Sequence, residues 1–129
     1  MKETKILIIE DERHITKFLE FILAKEGCTI LSASDGRKAL ESLESFAPDG
    51  ILLDLGLPDM SGIDLLRAIR AGKHYANAKV IVLSATLYEG ISDQLNEAGA
   101  DAQCSKPIAP STLVKTLQNL NLLPLAIPN

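Results

Sequence analysis

Glu10, Asp11 and Glu12 follow directly on the apolar run Lys5–Ile9, and Asp54 follows directly on a second such run, Gly50–Leu53. If both runs are strands of one parallel sheet, these carboxylates meet at a single edge. Acids crowded there repel one another by roughly a few kcal/mol at an effective dielectric of about 20, unless a cation sits among them. Mg²⁺ suits such a set, because it prefers about six oxygen ligands, keeps several waters and uses only one or two carboxylates. The plainer reading is that Glu10, Asp11 and Glu12 cap the helix that follows them. Two further strand ends weigh against it. The run Lys79–Leu83 ends in Ser84-Ala85-Thr86, and the run Asp101–Ser105 leads into Lys106-Pro107. A nucleophilic acid, acids for a metal, a hydroxyl and an ammonium are what a phosphoryl group on a carboxylate requires. Each residue alone is unspecific; four strand ends agreeing is not.

These residues need a scaffold, and the hydrophobic pattern supplies one. Short runs rich in Ile, Leu and Val recur at Lys5–Ile9, Thr29–Ala33, Gly50–Leu53, Lys79–Leu83 and, more weakly, Asp101–Ser105. Most are apolar at consecutive positions, as expected of parallel strands covered on both faces. Helical stripes alternate with them. Ile15, Phe18, Leu19, Ile22 and Leu23 form one apolar face, stopped by Gly27. Ala39, Leu40 and Leu43 mark a second helix. Ser61-Gly-Ile-Asp64 resembles a capping box opening a third, which carries Leu65, Leu66 and Ile69. Ile91, Leu95 and Ala98 mark a fourth, and Pro110 opens a fifth with Leu113, Leu117 and Leu120 facing inward. Five strand–helix units in succession predict an α/β fold, an open doubly wound parallel sheet whose functional crevice lies beyond the C-terminal strand ends.

Size and composition narrow the function. The 129 residues suit one compact domain, and 47% apolar with 23% charged residues is the make-up of an ordinary globular protein. Thirteen basic against seventeen acidic residues give a net charge of −4, with no basic run to grip a phosphate backbone, so direct nucleic-acid binding is not expected. No window approaches the ~18 uninterrupted apolar residues of a membrane span. Cys28 and Cys104 lack metal or disulfide-framework spacing, and no apolar segment follows the N-terminal Met1-Lys-Glu-Thr-Lys5; both fit a reducing cytoplasm.

Taken in order, Ile6-Leu-Ile-Ile-Glu-Asp-Glu12, Leu52-Leu-Asp-Leu-Gly-Leu-Pro-Asp-Met-Ser-Gly62, Val80-Ile-Val-Leu-Ser-Ala85, Ala98-Gly-Ala-Asp101 and Ser105-Lys-Pro107 are similar to the motifs of receiver domains of two-component response regulators, over nearly the whole chain. The resemblance implies a flavodoxin-like (βα)5 sheet of strand order 2-1-3-4-5, with the receiver in 1–121 and an apolar, Pro-containing tail in 122–129. It implies a signalling switch and not a metabolic enzyme: Asp54 accepts a phosphoryl group from the phosphohistidine of a histidine kinase or phosphotransfer protein, and the domain dephosphorylates itself. Glu10, Asp11, Asp54 and the backbone carbonyl of Gly56 would hold Mg²⁺, with Mn²⁺ as the alternative ion, while Ser84 and Lys106 would bind the phosphoryl oxygens. A cis Lys106–Pro107 peptide is also implied. The output would leave through the face of the fourth helix, fifth strand and fifth helix, toward an output partner, a fused output domain or a second copy in a homodimer.

Several residues depart from the family pattern. Gln103 stands where an aromatic switch residue is common, so coupling is expected to run from Ser84 and Thr86 into the fourth helix. Glu10 replaces the commoner Asp and lengthens that arm by one methylene; Gly56 leaves the water path to the phosphoryl group open. A phosphorylation-independent docking module of the same fold is the alternative function, opposed by the complete acid, hydroxyl and lysine set. A nucleotide-binding reading lacks a Gly-rich loop after the first strand, where Asp11-Glu-Arg-His14 stands. His14 and His74 are expected at the surface and Cys28 and Cys104 in the core, with Gly27 and Gly36 punctuating helices and Arg37, Lys38, Glu41 and Glu44 forming a solvated face. The tail cannot continue as a helix through Pro124 and Pro128, and its apolar strip is expected to pack against something.

Overall fold

The protein is described here from a computed structural model, which covers residues 3–72, 75, 77–85 and 90–125. Thr86, His74 and the last four tail residues lie outside the described residues. Strands β1 (Lys5–Ile9), β2 (Thr29–Ala33), β3 (Gly50–Asp54), β4 (Lys79–Ser84) and β5 (Ala102–Ser105) alternate with helices α1 (Arg13–Lys25), α2 (Gly36–Phe46), α3 (Gly62–Ala71), α4 (Ile91–Ala98) and α5 (Pro110–Asn119). The strands form one parallel sheet in the order β2-β1-β3-β4-β5, the expected topology.

The consecutive apolar runs follow from two cores on opposite faces. Leu7, Ile9, Ile51, Leu53, Val80 and Val82 point toward α2, α3 and α4, whereas Ile6, Ile8, Leu52, Ile81 and Leu83 point toward α1 and α5. Each strand side chain therefore has a helix above or below it, which is why β1, β3 and β4 do not alternate with polar residues. The edge strand β2 is covered less completely, with Ala33 buried and Leu31 left 37% exposed.

Three local expectations change. Phe18 is 42% exposed, because the buried stripe of α1 is narrower than its apolar stripe and comprises Leu19, Ile22 and Leu23. Ser61 is the N-cap of α3 but makes no capping hydrogen bond, and Asp64 turns instead to Arg67 at 3.7 Å, so the reciprocal box is not closed. At the start of α1, Glu12 occupies the N-cap without a side-chain capping bond, which favours the site reading of these acids over the capping one. Leu120 and Cys28 pack only at the rim of the second core, whereas Leu113, Leu117 and Cys104 are inside it. Leu122 and Leu123 also join that core, and Thr4 Oγ1 donates to the Leu122 carbonyl at 2.6 Å, tying the start of the tail beneath β1.

Candidate functional site

Register brings the strand ends together. Ile9 lies opposite Leu53 and Asp54 opposite Leu83, so Glu10, Asp54 and Ser84 all emerge at one edge, and the Lys106 N–H donates to the Ser84 carbonyl at 2.9 Å to fix the end of β5 beside β4. Glu10, Asp54 and Ser84 are the buried polar or charged residues among those described, at 3%, 6% and 6% exposure. Burying acids in a domain this small demands compensation. Lys106 supplies part of it: its Nζ lies 2.6 Å from Glu10 Oε1 and 3.2 Å from Asp54 Oδ1. Backbone donors supply more, since the Glu12 N–H reaches Glu10 Oε2 and the Gly56 N–H reaches Asp54 Oδ1, both at 3.2 Å.

One oxygen each of Glu10, Asp11 and Asp54 falls within 4.8 Å of the others, with Asp11 on the exposed side. Three oxygens from one exposed and two buried acids, beside an open rim, fit a hard cation that retains part of its water. Gly56 sits next to this cluster, a Cβ there lying 3.9 Å from Asp54 Oδ2, so the backbone passes the carboxylate without a side chain between them. Ser84 and Gly56 line the neighbouring cavity toward α3 and α4. The Lys106–Pro107 peptide is cis. His14 is a surface residue, 78% exposed and 3.5 Å from Glu12.

Two carboxylates and one ammonium leave excess negative charge. Burial, reinforced by the Asp54 charge and opposed by the Lys106 contact, pushes the Glu10 carboxyl up to about 7. Burial alone would lower the Lys106 ammonium; the two acids outweigh it and hold it above its ordinary value. A carboxyl raised by folding binds its proton more tightly in the native state, so its contribution is fully present below the unfolded value near 4.5 and is lost as pH rises through about 7. In EDTA, the midpoint of urea unfolding is therefore expected to fall between pH 6 and pH 8, and Glu10→Gln is expected to flatten that slope. An unchanged slope in Glu10→Gln would remove Glu10 as its source.

Two arrangements had no signal in residue spacing. The Gln103 side chain does not point into the site but bridges to α4, accepting from Ser92 Oγ at 2.9 Å and donating to the Ser92 carbonyl and Asn96 Oδ1, each at 3.3 Å. Asp59, in the turn after β3, binds two backbone N–H groups of α2. On the other side of Lys106, Ile15, Phe18, Leu83, Ala85, Pro107 and Ile108 line an apolar groove of about 580 Å³.

Comparison with known proteins agrees with this geometry. Residues 6–118 match the family model described as response regulator receiver domain. The transcriptional regulatory protein KdpE of Mycobacterium tuberculosis is 39% identical over 115 residues, covering 89% of this chain and 50% of that protein. The chain thus spans about half the length of such regulators. The chemotaxis protein CheY of Thermotoga maritima is 32% identical over 118 residues, covering 91% of this chain and 97% of that one. Among solved structures, the chemotaxis response regulator of Vibrio cholerae superposes with a TM-score of 0.87 at 28% identity, covering 92% of this chain and 99% of that one. The receiver domain of a Pseudomonas aeruginosa sensor histidine kinase, with a magnesium ion coordinated in its active-site cleft, superposes with a TM-score of 0.83 at 29% identity, covering 92% and 97%. With the expected strand order, a buried acid–lysine edge and a family match over most of its length, this chain belongs to the response regulator receiver domains.

Proposed function

We propose that the chain is a phosphorylation-activated switch in which Asp54 is the phosphoacceptor, Glu10, Asp11, Asp54 and the Gly56 carbonyl hold Mg²⁺, and Ser84 and Lys106 receive the phosphoryl oxygens. The observation that carries this reading is the buried Asp54 carboxylate between the Lys106 ammonium and the acids that can take a metal. An Asp54 oxygen attacks phosphorus in line; the new P–O bond forms as the P–N bond to the donor imidazole breaks, and the imidazole nitrogen leaves with the electron pair. Lys106 offsets charge developing on the equatorial oxygens. Bound Mg²⁺ would contribute Lewis-acid neutralisation of that same charge. Water later attacks the phosphorus, the P–O bond to Asp54 breaks, and inorganic phosphate leaves the carboxylate restored.

The partner that delivers phosphate is a histidine kinase or phosphotransfer protein, and the apolar groove beside Lys106 offers it a seat next to the reacting edge. Phosphate adds roughly −1.5 to −2 charges and three acceptors, which draw on the Ser84 hydroxyl. From there the signal enters α4, β5 and α5, toward an output partner, a fused domain or a second copy. Gln103 joins β5 to α4 by hydrogen bonds, so those elements shift together without a swinging ring. The absence of a long apolar helix among the described residues and the two free cysteines are compatible with a cytoplasmic place. The test is intact-protein mass spectrometry after incubation with a small acyl or amidophosphate donor. One phosphoryl adduct with Mg²⁺ and none in EDTA is expected. No adduct under metal-saturated, rapidly quenched conditions would favour a docking module that works without phosphorylation.

A further inference from the structure

Helix α2 has an unusual start. Its first three N–H groups, which no helical carbonyl can satisfy, are all taken by carboxylates. Asp35, the N-cap, accepts from the Lys38 N–H at 2.8 Å, as local sequence would allow. The other two are claimed from outside the helix: Asp59 accepts from the Gly36 N–H through Oδ1 at 2.8 Å and from the Arg37 N–H through Oδ2 at 3.0 Å. The two backbone hydrogen bonds hold the Asp59 carboxyl below its ordinary value, so it is ionised at neutral pH. Contact is close beneath this bridge as well. A Cβ on Gly36 would fall 2.3 Å from Met60 Sδ, so the turn after β3 and the start of α2 touch without room for a side chain.

We infer that Asp59 is a positioning residue for the acidic site, pinning the turn that carries Gly56 to the N-terminus of α2. This rests on the proposed metal reading of Gly56. The base of the turn is closed by the Gly62 N–H to the Leu55 carbonyl at 3.4 Å, and its first residue beyond Leu55 is tied by the Gly56 N–H to Asp54 Oδ1. Neither bond fixes the peptide that bears the Gly56 carbonyl against rotation of the segment 57–60. Asp59 does, by anchoring the far side of that segment to a different element with two directed bonds. Removing it frees the turn to move, and the Gly56 carbonyl moves with it.

Asp35 provides the control, because it caps the same helix through a bond that stays within it, from the Lys38 N–H. Mg²⁺ titration calorimetry and the amide ¹⁵N shift of Gly56 are compared in wild type, Asp59→Ala, Asp59→Asn and Asp35→Ala, with thermal unfolding in EDTA alongside. Asp59→Ala is expected to weaken Mg²⁺ binding by roughly three- to tenfold, less than the ~10–100-fold lost when a ligand's immediate partner is removed. Its Gly56 amide should shift. Asp59→Asn, which keeps one acceptor, should fall between. Asp35→Ala should lower the melting temperature and leave Mg²⁺ affinity and the Gly56 amide unchanged. Wild-type affinity in both Asp59 variants, or an equal loss in Asp35→Ala, overturns the inference while leaving the metal site standing. Wild type that takes up no Mg²⁺ overturns the site reading and this inference together.

Discussion

Asp54→Asn is expected to take up no phosphoryl group from any donor while folding normally. The amide has the shape of the carboxylate, so its oxygen still accepts from Lys106 Nζ, 3.2 Å from Oδ1 in the wild type, and from the Gly56 N–H. Its oxygen is a poor nucleophile at neutral pH, because the neutral amide lacks the carboxylate's negative charge and attack on phosphorus would leave a cationic imidate. The buried edge meanwhile becomes balanced: Glu10 is left facing Lys106 at 2.6 Å without the Asp54 charge that helps to raise it. Stability in EDTA should thus rise by about 1 kcal/mol at pH 8, where the wild type carries the full repulsion. Mg²⁺ affinity should fall with the loss of one charged ligand. Intact mass and urea unfolding check both halves. A persisting adduct would place the acceptor on Glu10, Asp11 or Glu12 instead; an unstable variant would show that Asp54 is there to hold the fold.

Much of this edge is legible before any coordinates. The strands β1, β3 and β4 announce themselves because two covered faces give each an uninterrupted apolar run, and the first polar residue after that run is then the first to reach the edge. That is why Glu10, Asp54 and Ser84 can be picked out, with Lys106 following on the weaker β5. What spacing does not reveal is any bond made across the chain by a polar side chain. Asp59 finds its partners at Gly36 and Arg37, and Gln103 finds Ser92 and Asn96, only after crossover helices have brought those segments together. Period likewise gives the direction of a helical stripe and not its width, so Phe18 reads as core although it forms a wall of the groove beside Lys106. Ser61 and Asp64 have capping-box spacing, yet a nearby Arg67 captures the acid and the box stays open.

Lys106→Met should separate the two roles proposed for the lysine, holding the apo edge together and assisting the chemistry. Its Nζ is a cation shared by two buried carboxylates whose oxygens come within 4.8 Å of each other. At an effective dielectric of about 20, charges at that distance repel by roughly 3–4 kcal/mol, and methionine supplies the stem without the charge. Glu10, already raised to about 7 by burial and the Asp54 charge, then rises further. In EDTA at pH 8 the variant is expected to lose about 2–4 kcal/mol against wild type, and the deficit should shrink as pH falls and Glu10 takes up its proton. Mg²⁺ becomes the sole cation for the edge, so its addition should restore more stability to the variant than to wild type. Phosphoryl uptake behaves differently, because a charge placed for the transition state is lost with no replacement at that position. The rate should drop by about 10²–10³ even at saturating Mg²⁺. Quenched-flow intact mass gives the rate, and urea unfolding at pH 6 and pH 8, with and without metal, gives the stability. Near-wild-type uptake in a variant that needs Mg²⁺ to stay folded would assign Lys106 to the apo edge alone, and a slow rate with no pH-dependent deficit would assign it to the chemistry alone.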